Sequence, residues 1–395
     1  MTSKSANRMR KSFLYLFLGF LPITVSAQVI SVKTVPIATG NQFMIFPSQN
    51  LGSSGSSIAV DDLFLDPFIN PAKGSRIHGA YLFSSPTFYR VTDDLGGGNS
   101  LPLAVLFGSE NHFGGLAVSI QQLQSADLVR FTKLLSQNSL NNLYFYGAYG
   151  KRIDKNTAIG LSVFRADLNG MDGVDLLYPG SQKIDQYGSL TDVRLGIVSE
   201  TDNARTYEAI FLYNYFDMNH EVTYTDWIWD SSVDHNVRQT RIEENQDKSK
   251  MWGFHLGYVQ PLYESDWRIG GIFTFNRKYH PKIPNYELMN IPKDPGNTWA
   301  YNFGLGISQS TEIATFGIDV IYEPIWSNTW ADAGEYMTSR NGNIIPPWGK
   351  TVENDFRFSN ALIRMGFMKK ETDHTAIQGG IEARMFSYQL IQKKT

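Results

Sequence analysis

The stretch Asn297-Thr-Trp299-Ala-Tyr301-Asn-Phe303-Gly-Leu305-Gly-Ile307-Ser-Gln309 alternates without a slip. Trp299, Tyr301, Phe303, Leu305 and Ile307 share one face, and Ala300, Asn302, Gly304, Gly306 and Ser308 share the other. A period of two is the signature of a β-strand whose faces meet different surroundings. The pattern recurs in the neighbouring sequence. Ala314, Phe316, Ile318, Val320 and Tyr322 oppose Thr315, Gly317, Asp319 and Glu323. Trp252, Phe254, Leu256 and Tyr258 oppose Gly253, His255 and Gly257. Ala361, Ile363, Met365 and Phe367 oppose Asn360, Arg364 and Gly366, while Ile377, Ile381, Ala383 and Met385 oppose Gln378, Glu382 and Arg384.

Read this way, the chain is all-β, with thirteen strands near 76–90, 101–109, 113–124, 141–151, 156–170, 188–200, 205–224, 249–262, 267–281, 297–309, 313–326, 356–369 and 375–390. Connections alternate short and long. The short ones are 110–112, 152–155, 201–204, 263–266, 310–312 and 370–374; the long ones are 91–100, 125–140, 171–187, 225–248, 282–296 and 327–355. Short turns at one end and long loops at the other are the order of an antiparallel up-and-down transmembrane β-barrel. A large soluble sandwich is the alternative, and it would bury the same apolar face in a core. A barrel prefers an even count, so about fourteen strands are expected, with Ile37–Phe46 the best candidate for the missing one.

Cross-strand pairs follow from the turns. Centring one hairpin near residue 311 pairs Asn302 with Asp319 and Phe303 with Ile318. The hairpin around Thr372 brings Arg364 to Glu382, and the one around Asp202 brings Arg194 near Glu208. The polar face of the barrel would then be lined by Arg194, Glu208, His255, Asp319, Glu323, Arg364, Glu382 and Arg384.

Composition narrows the class. Of 395 residues, 42% are apolar, 13% aromatic and 18% charged, with no Cys. That excludes a disordered chain, a disulfide scaffold and any cysteine metal site. Lys4, Arg8, Arg10 and Lys11 precede the apolar run Phe13–Val25, which closes on Val25-Ser26-Ala27. Residues 1–27 thus read as a cleaved secretory signal rather than a membrane anchor, since the run is short for a span. The remaining chain carries 31 Lys+Arg against 38 Asp+Glu, a balance that gives no support to nucleic-acid binding.

Between signal and strands, residues 28–75 differ from the rest. Leu51-Gly-Ser-Ser-Gly-Ser-Ser-Ile-Ala-Val-Asp61-Asp62 leads into Asp66-Pro67-Phe68-Ile69-Asn70-Pro71-Ala72-Lys73-Gly74. Such a segment is compact but irregular, and a barrel lumen is a place where its backbone groups find partners. The Gly/Ser stretch with Asp61-Asp62, followed by Asn70-Pro71-Ala72, resembles the N-terminal hatch of the FadL/OmpP1 outer-membrane channels; Asp66–Arg76 also looks like the start of PorP/SprF barrels of type IX secretion, whose PorV relatives share the FadL-like barrel. The resemblance implies a fourteen-stranded outer-membrane barrel for residues 76–395, with a hatch in its lumen and passage of hydrophobic compounds.

The long loops carry unusual apolar clusters: Leu176-Leu177-Tyr178, Trp227-Ile228-Trp229, and Trp330, Met337 and Ile344-Ile345-Pro346-Pro347-Trp348. These could meet a hydrophobic ligand or a protein partner, or could cover one another. Leu128, Phe131 and Leu135 follow Ser125 at helical spacing and predict a short amphipathic helix. Asp167, Asn169, Asp172 and Asp175 lack the distal Glu of a calcium loop, so no metal is expected. His112, His220 and His235 fall in no H-x-x-x-H spacing, and no G-x-S-x-G elbow occurs, so neither enzyme activity nor a cofactor is expected. The expected function is uptake of a hydrophobic small molecule through an outer-membrane barrel in contact with lipid. The alternative is a secretion-type or surface-complex barrel that binds protein partners.

Overall fold

The computed structural model describes residues 51–90, 97–124, 140–170, 178, 180–230, 232, 234–262, 265–280, 296–333, 335–339, 341–372 and 375–394. The signal reading over 1–27, the Ile37–Phe46 strand, the helix near 128–135 and Leu176-Leu177 lie outside these residues.

Each of the thirteen strands expected between residues 76 and 390 is present. β1 (Gly79–Ser84) and β2 (Thr87–Arg90) both pair with β3 (Gly97–Gly108), so together they occupy one position in the sheet. Pro86, which has no N–H to give the ladder, stands in the break between them. The order continues through β4 (His112–Gln124), β5 (Leu140–Arg152), β6 (Thr157–Leu168), β7 (Lys183–Glu200), β8 (Thr206–Asp230), β9 (His235–Pro261), β10 (Trp267–His280), β11 (Gly296–Ser310), β12 (Ala314–Asp332), β15 (Lys350–Thr372) and β16 (Thr375–Lys394). The result is one sheet of thirteen positions, fourteen strands when β1 and β2 are counted separately, with every pairing antiparallel between neighbours. A two-residue pair, β13 (Met337–Thr338) with β14 (Ile344–Ile345), stands apart. β1 and β16 end the sheet, with no pairing between them among the described residues.

Burial runs opposite to a soluble protein. On β11 and β4 the large apolar side chains are exposed: Leu305 by 72%, Leu116 by 67%, Ile120 by 54%. Thr298, Ser308 and Ser119, on the other face of these strands, are buried, as is Ser162 of β6. The sandwich alternative therefore fails, since it needs the apolar face in a core.

Two expected pairings are corrected. Gly306 opposes Asp319, Ile307 opposes Ile318 and Phe303 opposes Tyr322, a slip of four residues from the expected register. The turn falls later than the sequence indicates, with Ser310 opposing Thr315 and the Thr311 hydroxyl accepting from Ala314 N–H. Because the slip is even, each residue keeps its face. Likewise Arg194 opposes Leu212, and Glu208 opposes Val198. Arg364 does oppose Glu382 and donates to it at 2.8 Å.

The loop expected at 225–248 is a correction of a different kind. β8 and β9 run on as a ribbon that pairs Tyr224 with Arg241 and Asp230 with His235. Among the described residues β7 ends its pairing with β8 at Thr223, and β10 reaches β9 only as far as Lys250. Trp227 and Trp229 are thus strand residues.

Candidate functional site

Residues 51–77 lie along the buried face and touch strands from one end of the sheet to the other. Gly52 N–H donates to Gln378 of β16, Ser57 N–H to Asp319 of β12 at 2.8 Å, and Ser308 of β11 donates to the Ala59 carbonyl at 2.6 Å. Tyr146 of β5 donates to the Pro67 carbonyl at 2.8 Å, and Phe64 packs against Phe83 of β1 with centroids 4.5 Å apart and the rings tilted by 30°. Sequence accounts for this irregular course. The Asp62 carboxylate accepts the N–H groups of Phe64 and Leu65, an Asx-type turn that starts the one-turn helix Asp66–Ile69. Asn70 caps the following 3-10 helix, Pro71–Arg76, through Ala72 N–H. Pro71 sits at its first position, where the missing N–H costs nothing. Ala72 is fully buried, and a Cβ on Gly160 of β6 would stand only 2.6 Å from the Pro71 carbonyl carbon. The Asn-Pro-Ala run is therefore a cap, a fixed φ and a side chain small enough for close approach.

A charged network ties the segment down. Asp61 bridges Arg76 at 2.8 Å and Arg268 of β10 at 2.5 Å. Arg76 also reaches Glu200 of β7 at 2.6 Å, and Lys73 lies 3.1 Å from Glu208 and 3.5 Å from Asp66. Burial pushes the Asp66 carboxyl up to about 7, against the pull of the Lys73 ammonium. Burial works against the charge on Lys73, yet Asp66 and Glu208 hold its ammonium above its ordinary value. Asn70 donates to Glu208 at 3.1 Å, and His255 stands 3.7 Å from the same carboxylate while bonded to Thr274.

The sequence-expected polar residues fall into three groups. Arg194, Glu208, His255 and Asp319 are gathered at the segment; buried Arg194 donates to Asp192 and to the Ile69 carbonyl. Arg364, Glu382 and Arg384 form an ion-pair chain on β15 and β16, with Glu382 between the two arginines. Glu323 stands apart between two asparagines. The sequence reading missed Lys73, Arg76, Glu200 and Arg268. Part of the signal was present, because Lys73 and Arg76 follow the Asn-Pro-Ala run close to Asp61 and Asp66, but the strand partners Glu200 and Glu208 lie more than a hundred residues away.

The buried face is chemically divided. On β3 to β8 an apolar cluster gathers Tyr144, Phe164, Leu168, Leu190, Phe216 and Met218 around Phe68 of the segment. Phe68 meets Tyr146 at 4.7 Å between ring centroids. On β10 to β15 the same face carries buried Thr274, Asn276, Thr298, Ser327, Asn354 and Asn360.

The apolar loop residues are not one surface. Tyr178 is buried against Val222 and His220, which corrects its expected exposure. Trp330 lies in β12 under the Lys350 ammonium, 4.7 Å from the ring. Trp348 is 79% exposed in a left-handed turn. Trp227 and Trp229 are exposed on one face of the β8–β9 ribbon, opposite Arg238 and Asn236.

No family model matches this sequence, and no curated protein matches it. Among solved structures, the chain is similar to two toluene transporters. TbuX of Ralstonia pickettii has a TM-score of 0.38 at 12% identity, with 87% of this chain and 96% of that one covered. TodX of Pseudomonas putida has a TM-score of 0.39 at 9% identity over the same shares. The siderophore receptor PirA of Acinetobacter baumannii has a TM-score of 0.33 at 8% identity, covering 79% of this chain and 60% of PirA.

Proposed function

We propose that the protein is an outer-membrane β-barrel that admits a hydrophobic small molecule, with residues 51–77 as the hatch in its lumen. The observation that carries this reading is the apolar cluster on the buried face. The outer face already supplies the apolar surface that lipid requires. A second apolar surface, on the inside and running from β3 to β8 past Phe68, is what a path for an apolar solute needs. In this reading Arg194, Glu208, His255 and Asp319 hold the hatch, and no catalytic group or cofactor takes part.

A secretion-type or surface-complex role is the second reading, and the ribbon of Tyr224–Asp230 with His235–Arg241 favours it. Paired Trp side chains on a projecting ribbon suit a protein partner.

The experiment is purification from native membrane followed by mass spectrometry of what accompanies the protein. Uptake of a hydrophobic compound predicts a bound apolar small molecule and no stoichiometric protein. A partner recovered at one-to-one ratio with an empty interior would transfer the assignment to the second reading.

A further inference from the structure

The exposed face of β9 to β12 differs from that of β3, β4 and β6, where Leu103, Val105, Leu116, Val118, Leu161 and Val163 present aliphatic surface. Here it is aromatic. Trp252, Trp299 and Trp326 share one cross-strand row with Arg277. Phe275 and Tyr301 oppose one another in the next row, and Phe273 and Phe303 in a third. Phe275 points away from the buried face yet is only 9% exposed, because Trp252, Phe254, Trp299 and Tyr301 surround it with ring centroids 5.2 to 5.8 Å away. An interfacial girdle needs only the first of these rows. Three rows extend about 13 Å along the strands. One leaflet of hydrocarbon is roughly 15 Å deep.

Two cations stand at the end of this panel that leads to the long connection between β10 and β11. Lys250 opposes Tyr279 and Arg277 opposes Trp252, so the two cations are diagonal neighbours on one face. Such neighbours lie about 7 Å apart, within reach of one anion for side chains this long. The Arg277 guanidinium lies 4.7 Å from the Trp299 ring centre and donates to Asn297 at 3.4 Å. Lys250 is exposed. Other cations toward this end of the sheet have their own carboxylates: Arg165 with Asp167, Lys183 with Asp185, Lys248 with Asp217 and Arg357 with Asp355. Among the described residues Lys250 and Arg277 have none.

We propose that Lys250 and Arg277 bind the phosphate of an anionic membrane lipid whose chains lie on the aromatic panel of β9 to β12. A cation at the rim of hydrocarbon is costly without a counter-charge, and the bilayer itself supplies one. Lysine and arginine offer donors and positive charge, which a phosphate accepts. The panel reaches about as deep as the chains of one leaflet, which fits a lipid tail better than a soluble protein partner. This inference rests on the reading of the exposed face as lipid-facing and is independent of what crosses the interior.

The test places the full-length protein in nanodiscs of phosphatidylglycerol and phosphatidylcholine in equal parts, with identical chains, and identifies by native mass spectrometry the lipid that stays bound on release. Bound lipid should be enriched at least about fivefold in phosphatidylglycerol, the preference that one Lys or Arg beside an anionic head group provides. Lys250→Gln alone should lower the enrichment, and Lys250→Gln with Arg277→Gln should abolish it. Lys183→Gln, which removes a cation that has its own carboxylate, should leave it unchanged. Heat-modifiable migration checks that each variant is folded, and the enrichment on the wild-type protein is read without them. Equal retention of both lipids, or enrichment that survives the double change, would overturn the site. So would displacement of the lipid by excess inorganic phosphate, which would mark a site for the free ion, or a dimer released without lipid, which would assign the panel to a second copy. Failure of the protein to enter nanodiscs at all would overturn the lipid-facing reading as well.

Discussion

Asp66 and Glu208 share Lys73 but differ in what their removal leaves behind. With Asp66 pushed up to about 7, the folded protein holds this carboxyl protonated across a range where the unfolded chain, with its ordinary value near 4, has released the proton. The folded state then binds more protons than the unfolded one, so stability falls as pH rises between these two values. Asp66→Asn should flatten that slope, and hydrogen exchange at the Asn70 and Ile77 amides, followed from pH 4 to 8, measures it. A slope unchanged in the variant would remove Asp66 from the account. Glu208→Gln should behave differently. It strips the ammonium of its 3.1 Å partner, and breaking a buried pair on one side costs on the order of 3 kcal/mol. Loss of exchange protection throughout residues 66–77, larger than in Asp66→Asn, is the expected result.

At the scale of the element, strand identity was legible while register and reach were not. Period-two alternation marks Trp299 to Ile307 because the two faces meet different media, and that contrast is written residue by residue. Register depends on turn geometry, and here the Thr311 hydroxyl closes the turn by donating to the Ala314 carbonyl and accepting from its N–H, which no pattern reveals. The β8–β9 ribbon escaped for a related reason. Residues 225–248 are mostly polar, with charged side chains at both odd and even positions, so no apolar–polar alternation marks a strand there. Likewise the Asn-Pro-Ala run could be read as a compact turn, but its long-range partners Glu208, Gly160 and Ile197 could not. Two element-level outcomes are expected. Gly160→Val should lift the Pro71 turn, since any Cβ there meets backbone, and limited proteolysis should then cut within 51–77 while the strands resist. The double change Trp227→Ser with Trp229→Ser removes exposed side chains only, so thermal stability should move by less than about 0.5 kcal/mol. Partner capture falls in that variant if the ribbon docks a protein, and uptake falls if it receives the solute. Neither changing would leave the two side chains without a role.

For the whole molecule, one inversion carries the argument. An apolar face that is exposed and a polar face that is buried make sense when the surrounding medium is hydrocarbon. The proposed hatch depends on the same inversion, because the buried face of the sheet is where residues 51–77 find their partners. The chain contains no cysteine, so single cysteines can be introduced along β11 without background. The measurement is spin-label accessibility at residues 298, 299, 302, 303, 305 and 308, read in cell envelopes with oxygen as the lipid-soluble relaxant and a nickel chelate as the aqueous one. Labels at 299, 303 and 305 should respond strongly to oxygen and weakly to the chelate, and those at 298, 302 and 308 should not favour oxygen, giving a period of two. Uniform accessibility along the strand, or oxygen contact at 298, 302 and 308 instead, would contradict the account.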